Sequence, residues 1–139
     1  MHLSHTILLI DDDPDDREMF EEALNEGYAK HDIIQAEDGF DGIEKLHHLL
    51  KTNELPCLII LDLNMPKLDG KQTFLSIKDD TRFFKIPVVV LSTSVSDADK
   101  AFFQREGVHY ITKPINFEHL SRVAGQLMSY CEKRVKDNS

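Results

Sequence analysis

Five short apolar runs, each closed by polar or turn-forming residues, alternate along this chain with stretches whose apolar residues recur every third or fourth position. The runs are Thr6–Ile10, His31–Ala36, Pro56–Leu61, Val88–Leu91 and Val108–Thr112. Pro56–Leu61 and Val88–Leu91 are rich in β-branched or bulky residues and almost unbroken by polar ones, the pattern of strands buried on both faces of a parallel sheet. Strands alternating with helices imply right-handed crossovers and helices on both faces of that sheet. The expected fold is therefore α/β, a flavodoxin-like, doubly wound, five-stranded parallel sheet in the order 2-1-3-4-5 with five helices.

The helical stretches carry their own punctuation. Asp13-Pro14 reads as an N-cap followed by proline at the first helical position, and the helix runs to Gly27 with Met19, Phe20, Ala23 and Leu24 facing in. The second helix covers about Asp41 to Lys51, with Ile43, Leu46, Leu49 and Leu50 inward. The third covers Gly70 to about Asp79, burying Phe74, Leu75 and Ile77. The fourth spans about Ser96 to Glu106 and ends at Gly107. The last begins near Asn116 and presents Phe117, Leu120, Ala124, Leu127 and Cys131 on one face, leaving Lys133–Ser139 as a polar, frayed tail. No repeat or linker interrupts the series. The 139 residues read as a single domain with its core over about residues 6–131 and no output domain.

Charge excludes some functions. Asp and Glu outnumber Lys and Arg 25 to 16, for a formal charge of −9, and no long basic run is present. This argues against nucleic acid as a partner, because its binding depends on neutralising phosphates, and against an anionic membrane surface. The apolar run Ile7–Ile10 is too short for a signal peptide or a membrane span. Cys57 and Cys131, far apart and each within an apolar pattern, are expected to be reduced core residues of a cytoplasmic protein, with a disulfide or metal pair as the lesser alternative.

Ligands of open α/β sheets bind beyond the carboxyl ends of the strands. In the order 2-1-3-4-5, strands 1 and 3 are neighbours, so Asp11, Asp12 and Asp62 converge there. Taken singly, Asp62 is a strand-ending carboxylate, Asp11-Asp12-Asp13 a capping cluster, Ser92 a strand-terminal hydroxyl and Lys113-Pro114 a loop. Together they sit at the ends of strands 1, 3, 4 and 5. Converging carboxylates repel and need compensation, from a hard divalent cation such as Mg²⁺ or from the ammonium of Lys113. Carboxylates, a hydroxyl and an ammonium suit phosphoryl transfer through an acyl phosphate. The lack of a Gly-rich nucleotide loop argues against ATP as the direct donor.

The motifs Ile10-Asp11-Asp12, Leu61-Asp62-Leu63-Asn64-Met65-Pro66 with Asp69-Gly70, Pro87–Ser92 and Tyr110-Ile111-Thr112-Lys113-Pro114 resemble those of the receiver domains of two-component response regulators, the CheY-like family, over Thr6–Met128. The acidic opening Asp11–Asp16 and Ser92-Thr93-Ser94 are similar to those of stand-alone regulators paired with bacterial phytochromes and related sensor histidine kinases. The resemblance implies a phosphoacceptor rather than an enzyme. Asp62 accepts the phosphoryl group from a sensor histidine kinase or histidine phosphotransfer protein. Asp11, Asp12, Asp62 and the backbone carbonyl of Asn64 hold Mg²⁺, with Asp12 the direct ligand of the acid pair. Ser92 is the switch hydroxyl, Lys113 the phosphoryl-binding lysine and Tyr110 the switch aromatic, and a cis Lys113–Pro114 bond is implied. Two departures stand out. Thr93 occupies a place commonly Ala or Gly, which narrows access to Asp62. The Gly107–Tyr110 connection is one residue short, which bears on the direction of Tyr110.

The rival reading is a small-molecule phosphohydrolase working through an aspartyl phosphate. Asn64 weakens it by standing where such an enzyme would carry a second aspartate. As for the signal's exit, adjacent helical residues point roughly 100° apart, so one of Phe102 and Phe103 belongs at the surface. Val123 and Tyr130 widen the apolar face of the last helix. A homodimer or partner surface on the fourth helix, fifth strand and last helix, with Phe103 and Tyr130 among its members, is set against the plainer account of a generously buried helix edge.

Overall fold

The computed structural model describes residues 4–26, 32–65, 68–93, 96–114 and 116–137. Strands β1 (Thr6–Ile10), β2 (Asp32–Ala36), β3 (Leu58–Leu61), β4 (Val88–Ser92) and β5 (His109–Thr112) alternate with helices α1 (Pro14–Asn25), α2 (Gly39–Lys51), α3 (Gly70–Lys78), α4 (Asp97–Arg105) and α5 (Phe117–Asp137). All the strand pairings are parallel, in the order β2-β1-β3-β4-β5. β1, β3 and β4 are buried along their whole length, as expected of strands covered by helices on both faces. The register sets Ile10 beside Leu61, so Asp11 and Asp62, one residue further along each strand, leave the sheet side by side.

Capping decides where the helices start. The Asp13 carboxylate accepts the Asp15 and Asp16 N–H groups ahead of Pro14. Asp69 and Gln72 form a reciprocal capping box at α3, and the Ser96 hydroxyl caps α4. α2 starts two residues ahead of the expected Asp41, because Asp38 caps it by accepting the Asp41 N–H. α4 ends into Gly107, whose φ of 72° lies in the left-handed region. Glycine adopts that conformation without steric cost, and it lets so short a connection reverse into β5. Gly27 and His31, the expected end of α1 and start of β2, lie outside the described residues.

Several packing expectations are corrected. Leu75 and Met19 are 39% and 45% exposed. Phe74 with Ile77, and Phe20 with Ala23 and Leu24, already fill the inward faces of α3 and α1, so the neighbouring residue on each helix turns outward. Of the aromatic pair on α4, Phe103 is fully buried and Phe102 only partly. Phe103 is thus a core residue, enclosed by Phe74, Phe102 and Tyr110, and Phe102 takes the outer position under the Lys71 ammonium. α5 continues as helix through residues expected to fray, with Val135 packing against the core.

The cysteines are corrected too. Cys57 and Cys131 form a disulfide with their Cα atoms 5.3 Å apart, a separation typical of bridged pairs. α5 crosses the sheet where β3 begins, which brings together two residues 74 apart in sequence. Both are fully buried, as expected of core residues, but they are not separate thiols.

Candidate functional site

Each residue at the carboxyl edge of the sheet is held by backbone geometry. The Asp62 N–H continues the β1–β3 ladder by donating to the Ile10 carbonyl at 3.0 Å, and the Asp11 N–H donates to the Ala36 carbonyl at 3.1 Å. The chain then turns sharply. One Asp62 oxygen accepts the Asn64 N–H at 3.4 Å, while Leu63 and Met65 insert into the core. α3 begins directly beneath this turn. A Cβ on Gly70 would lie 2.5 Å from Leu63 Cα and closer still to the Asp62 carbonyl oxygen. Only glycine lets the helix pass so near the backbone carrying Asp62.

From β5, Lys113 crosses to the acidic side. Its N–H donates to the Ser92 carbonyl at 3.0 Å, tying the end of β5 to the end of β4. Its Nζ reaches Asp11 Oδ2 at 2.6 Å, Asp16 Oδ2 at 2.8 Å and Asp62 Oδ2 at 3.5 Å. Asp11, Asp12 and Asp62 each offer a carboxylate oxygen within 4.8 Å of one another. Asp11 and Asp62 are buried and Asp12 is exposed. Both oxygens of Asp11 are engaged, one by Lys113 and the other by the Asp13 N–H at 3.0 Å. A cluster of hard oxygen donors with one solvent-facing member fits a cation such as Mg²⁺, which is bound through few carboxylates and keeps several waters.

The electrostatics follow from burial. Desolvation pushes the Asp11 carboxyl up from 3.8 to about 6, against the pull of Lys113 and the Asp13 N–H and with a further push from the Asp62 charge. Burial also works to lower the Lys113 ammonium, but hydrogen bonds to Asp11 and Asp16, with the Asp62 charge, outweigh it and hold the ammonium above its ordinary value. An acid whose pKa is raised by folding contributes stability that is complete below its unfolded value and is lost as pH rises through the folded value. For metal-free protein, Asp11→Asn should therefore match wild type near pH 4 and exceed it at pH 7 by about 2–3 kcal/mol. Urea titrations in chelator at both pH values check this, and a variant equally or less stable at pH 7 would refute it.

Ser92 is fully buried at the end of β4. Tyr110 pairs with Val90, two residues before Ser92, so Tyr110 and Ser92 share one face of the sheet. The Tyr110 ring is half-buried, 6.3 Å from that of Phe103 and 5.8 Å from the Lys100 ammonium. The short connection from Gly107 thus leaves Tyr110 directed at α4. Thr93 is exposed. The Lys113–Pro114 bond is trans, since the described residues contain no cis peptide; the trans isomer is the more stable even before proline.

Two contributors escape a reading of sequence alone. Asp16 looks like one more solvated acid of the first turn of α1, yet it shares Lys113. Arg17 donates to the Asp11 carbonyl at 2.7 Å and to the Gln35 side chain at 3.1 Å, bracing the β1–α1 turn. The available signal is helix phase. With Asp13 as cap and Pro14 as the first helical residue, the third helical position falls on Asp16, a place from which an acid commonly turns back toward the helix start.

A doubly wound sheet with paired acids, a strand-end aspartate and a part-buried lysine at its carboxyl edge defines a CheY-like protein. The family model for the response regulator receiver domain matches residues 7–124, and the chain belongs to that family. It is 31% identical over 125 residues to protein PilH of Pseudomonas aeruginosa, covering 88% of this chain and 97% of PilH. It is 32% identical over 127 residues to response regulator Rcp1 of Synechocystis, covering 89% and 86%. The crystal structure of the phosphorylated cyanobacterial phytochrome response regulator RcpA superposes with a TM-score of 0.81 at 32% identity, over 91% of this chain and 93% of that one. A structure of Rcp1 with Mn²⁺ bound superposes with a TM-score of 0.75 at 32% identity, over 89% and 91%. Among the described residues no helix is long and apolar enough to cross a membrane.

Proposed function

We propose that this chain is a phosphorylation-driven switch that accepts a phosphoryl group on Asp62 from the phosphohistidine of a sensor kinase or histidine phosphotransfer protein. The observation that carries the reading is the convergence of Asp62 with Asp11 and Asp12 while the Lys113 ammonium stands 3.5 Å from the Asp62 carboxylate. In the step itself an Asp62 oxygen attacks phosphorus, the P–O bond forms, the P–N bond breaks and its electron pair leaves on the imidazole. Asp11, Asp12, Asp62 and the Asn64 carbonyl are the residues that would hold Mg²⁺. Bound there, the ion offsets charge on the transferring group. Asp12, open to solvent, suits a direct ligand, and Asp11, with both oxygens engaged, suits one acting through water. Lys113 neutralises phosphoryl oxygens and the Ser92 hydroxyl donates to one of them.

The same reading makes the chain a phosphoacceptor rather than an enzyme of small molecules, since Asn64 supplies no acid or base beside Asp62 for rapid hydrolysis. It places the switch in the cytoplasm, without nucleic acid or membrane as partner. Incubation with a panel of autophosphorylated histidine kinases is the test. Rapid transfer from a preferred kinase is expected. Failure of every donor, together with turnover of small phosphoesters at about 1 per second or faster, would favour the hydrolase.

The signal leaves through α4, β5 and α5, by way of a homodimer or another protein. Tyr130 on α5 is 42% exposed, and Tyr110 links the face carrying Ser92 to Phe103 of α4. A two-fold dimer is the commonest way to bury such a patch. Sedimentation should show heavier species with Mg²⁺ and beryllofluoride, and Tyr130→Glu should abolish the shift. An unchanged mass in wild type would rule out the homodimer. Phe103, being buried, is unsuited to this test.

A further inference from the structure

The side chain of Lys113 is contested. An ammonium directs a small number of N–H donors, and here the two shortest contacts go to Asp11 and Asp16, at 2.6 and 2.8 Å, while Asp62 is at 3.5 Å. Asp16 lines the same cleft as Asp11, Asp62 and Lys113. Its backbone position is fixed there, because the Asp13 cap and Pro14 set the phase of the first turn. The Lys113 backbone is pinned as well, through its N–H to Ser92. Its ammonium can therefore change partners only by swinging its flexible stem between Asp16 on the rim and Asp62 within.

We propose that Asp16 is a positioning residue, which draws Lys113 away from Asp62 in the resting protein and competes with the arriving phosphoryl oxygens for the ammonium. The inference rests on the phosphoacceptor reading above and goes beyond it by adding a residue that sets how tightly the site takes the group. Asp11 cannot play this part in the same way. It is buried, and its second oxygen is tied to Asp13. The Asp16 side chain is 41% exposed, so water can replace the ammonium when Lys113 leaves. Exchange is therefore cheap but not free, as for other part-exposed ion pairs. Because Asp16 holds Lys113 through a part-exposed charge pair, its opposition to the phosphoryl group weakens with added salt.

Calorimetric titration with beryllofluoride in Mg²⁺, as the stand-in for the phosphoryl group, tests the idea on wild type, Asp16→Asn and Asp16→Glu. At low salt Asp16→Asn should bind about three-fold tighter than wild type, and Asp16→Glu, which keeps the charge, should stay close to wild type. The ratio between Asp16→Asn and wild type should fall toward one as salt is raised. Binding by Asp16→Asn that is equal to or weaker than wild type at low salt overturns the proposal. So does a tighter binding that ignores salt or that Asp16→Glu reproduces, since either points to a change of shape rather than of charge. Wild type that binds no beryllofluoride at all would bring down the phosphoacceptor reading itself, an outcome distinct from equal binding by wild type and Asp16→Asn.

Discussion

Asp62→Asn is expected to take up no phosphoryl group from a phosphohistidine donor and to show no response to beryllofluoride, while folding as well as wild type or better. The substitution removes the nucleophilic oxygen and one negative charge but preserves the shape of a buried side chain 7% exposed. Like charges crowded at one edge disfavour their ionised forms, and Asp62 contributes to the repulsion that lifts Asp11. Loss of the charge thus relieves the resting protein at the same stroke as it removes the chemistry. Transfer assays paired with thermal melts separate the two effects. An Asp62→Asn protein that still accepts phosphate, or one that is markedly destabilised, would assign this residue a structural role.

Lys113→Met should have the opposite signature. Its removal leaves Asp11 and Asp62, both buried, without the cation that now touches them. Deleting one partner of a buried ion pair costs about 3–5 kcal/mol, and the loss should be greatest in metal-free protein above pH 7. The cost should shrink as pH falls and Asp11, pushed further up once the pull of Lys113 is gone, gains a proton, and again when Mg²⁺ supplies positive charge. Phosphoryl uptake should slow by about 10² or more, the usual effect of removing one group that stabilises a developing charge. Urea titrations over pH, with and without Mg²⁺, give the stability result. A loss that neither acid nor Mg²⁺ reduces would mean that Lys113 acts by packing its stem and not by neutralising the cluster.

Most of this site could be anticipated because a parallel sheet delivers the ends of its strands to one edge. Once the strand order is known, Asp11, Asp62, Ser92 and Lys113 must be neighbours whatever the details of packing. The features that could not be anticipated depend on how elements lie across one another. Asp16 belongs to the site because Lys113, at the end of β5, reaches across the sheet edge to the first turn of α1. Cys57 and Cys131 meet because of where α5 crosses β3, and no local pattern encodes that crossing. Leu75 and Phe74 are adjacent apolar residues on a short helix, where the periodic pattern is compatible with either facing inward. The extension of α5 past Lys133 rests on the contact of Val135 with the core, which the polar composition of that segment conceals.

The central claim is that Asp62 receives the phosphoryl group, and locating that group on the protein tests it most directly. Wild-type protein treated with acetyl phosphate and Mg²⁺, then analysed by intact mass and by peptide mapping under conditions that preserve acyl phosphates, should carry one phosphoryl group. That group should lie on the peptide containing Asp62, be lost on treatment with hydroxylamine, and fail to form when Mg²⁺ is chelated. A phosphoryl group found on any other residue, or none formed with Mg²⁺ present, would contradict the account.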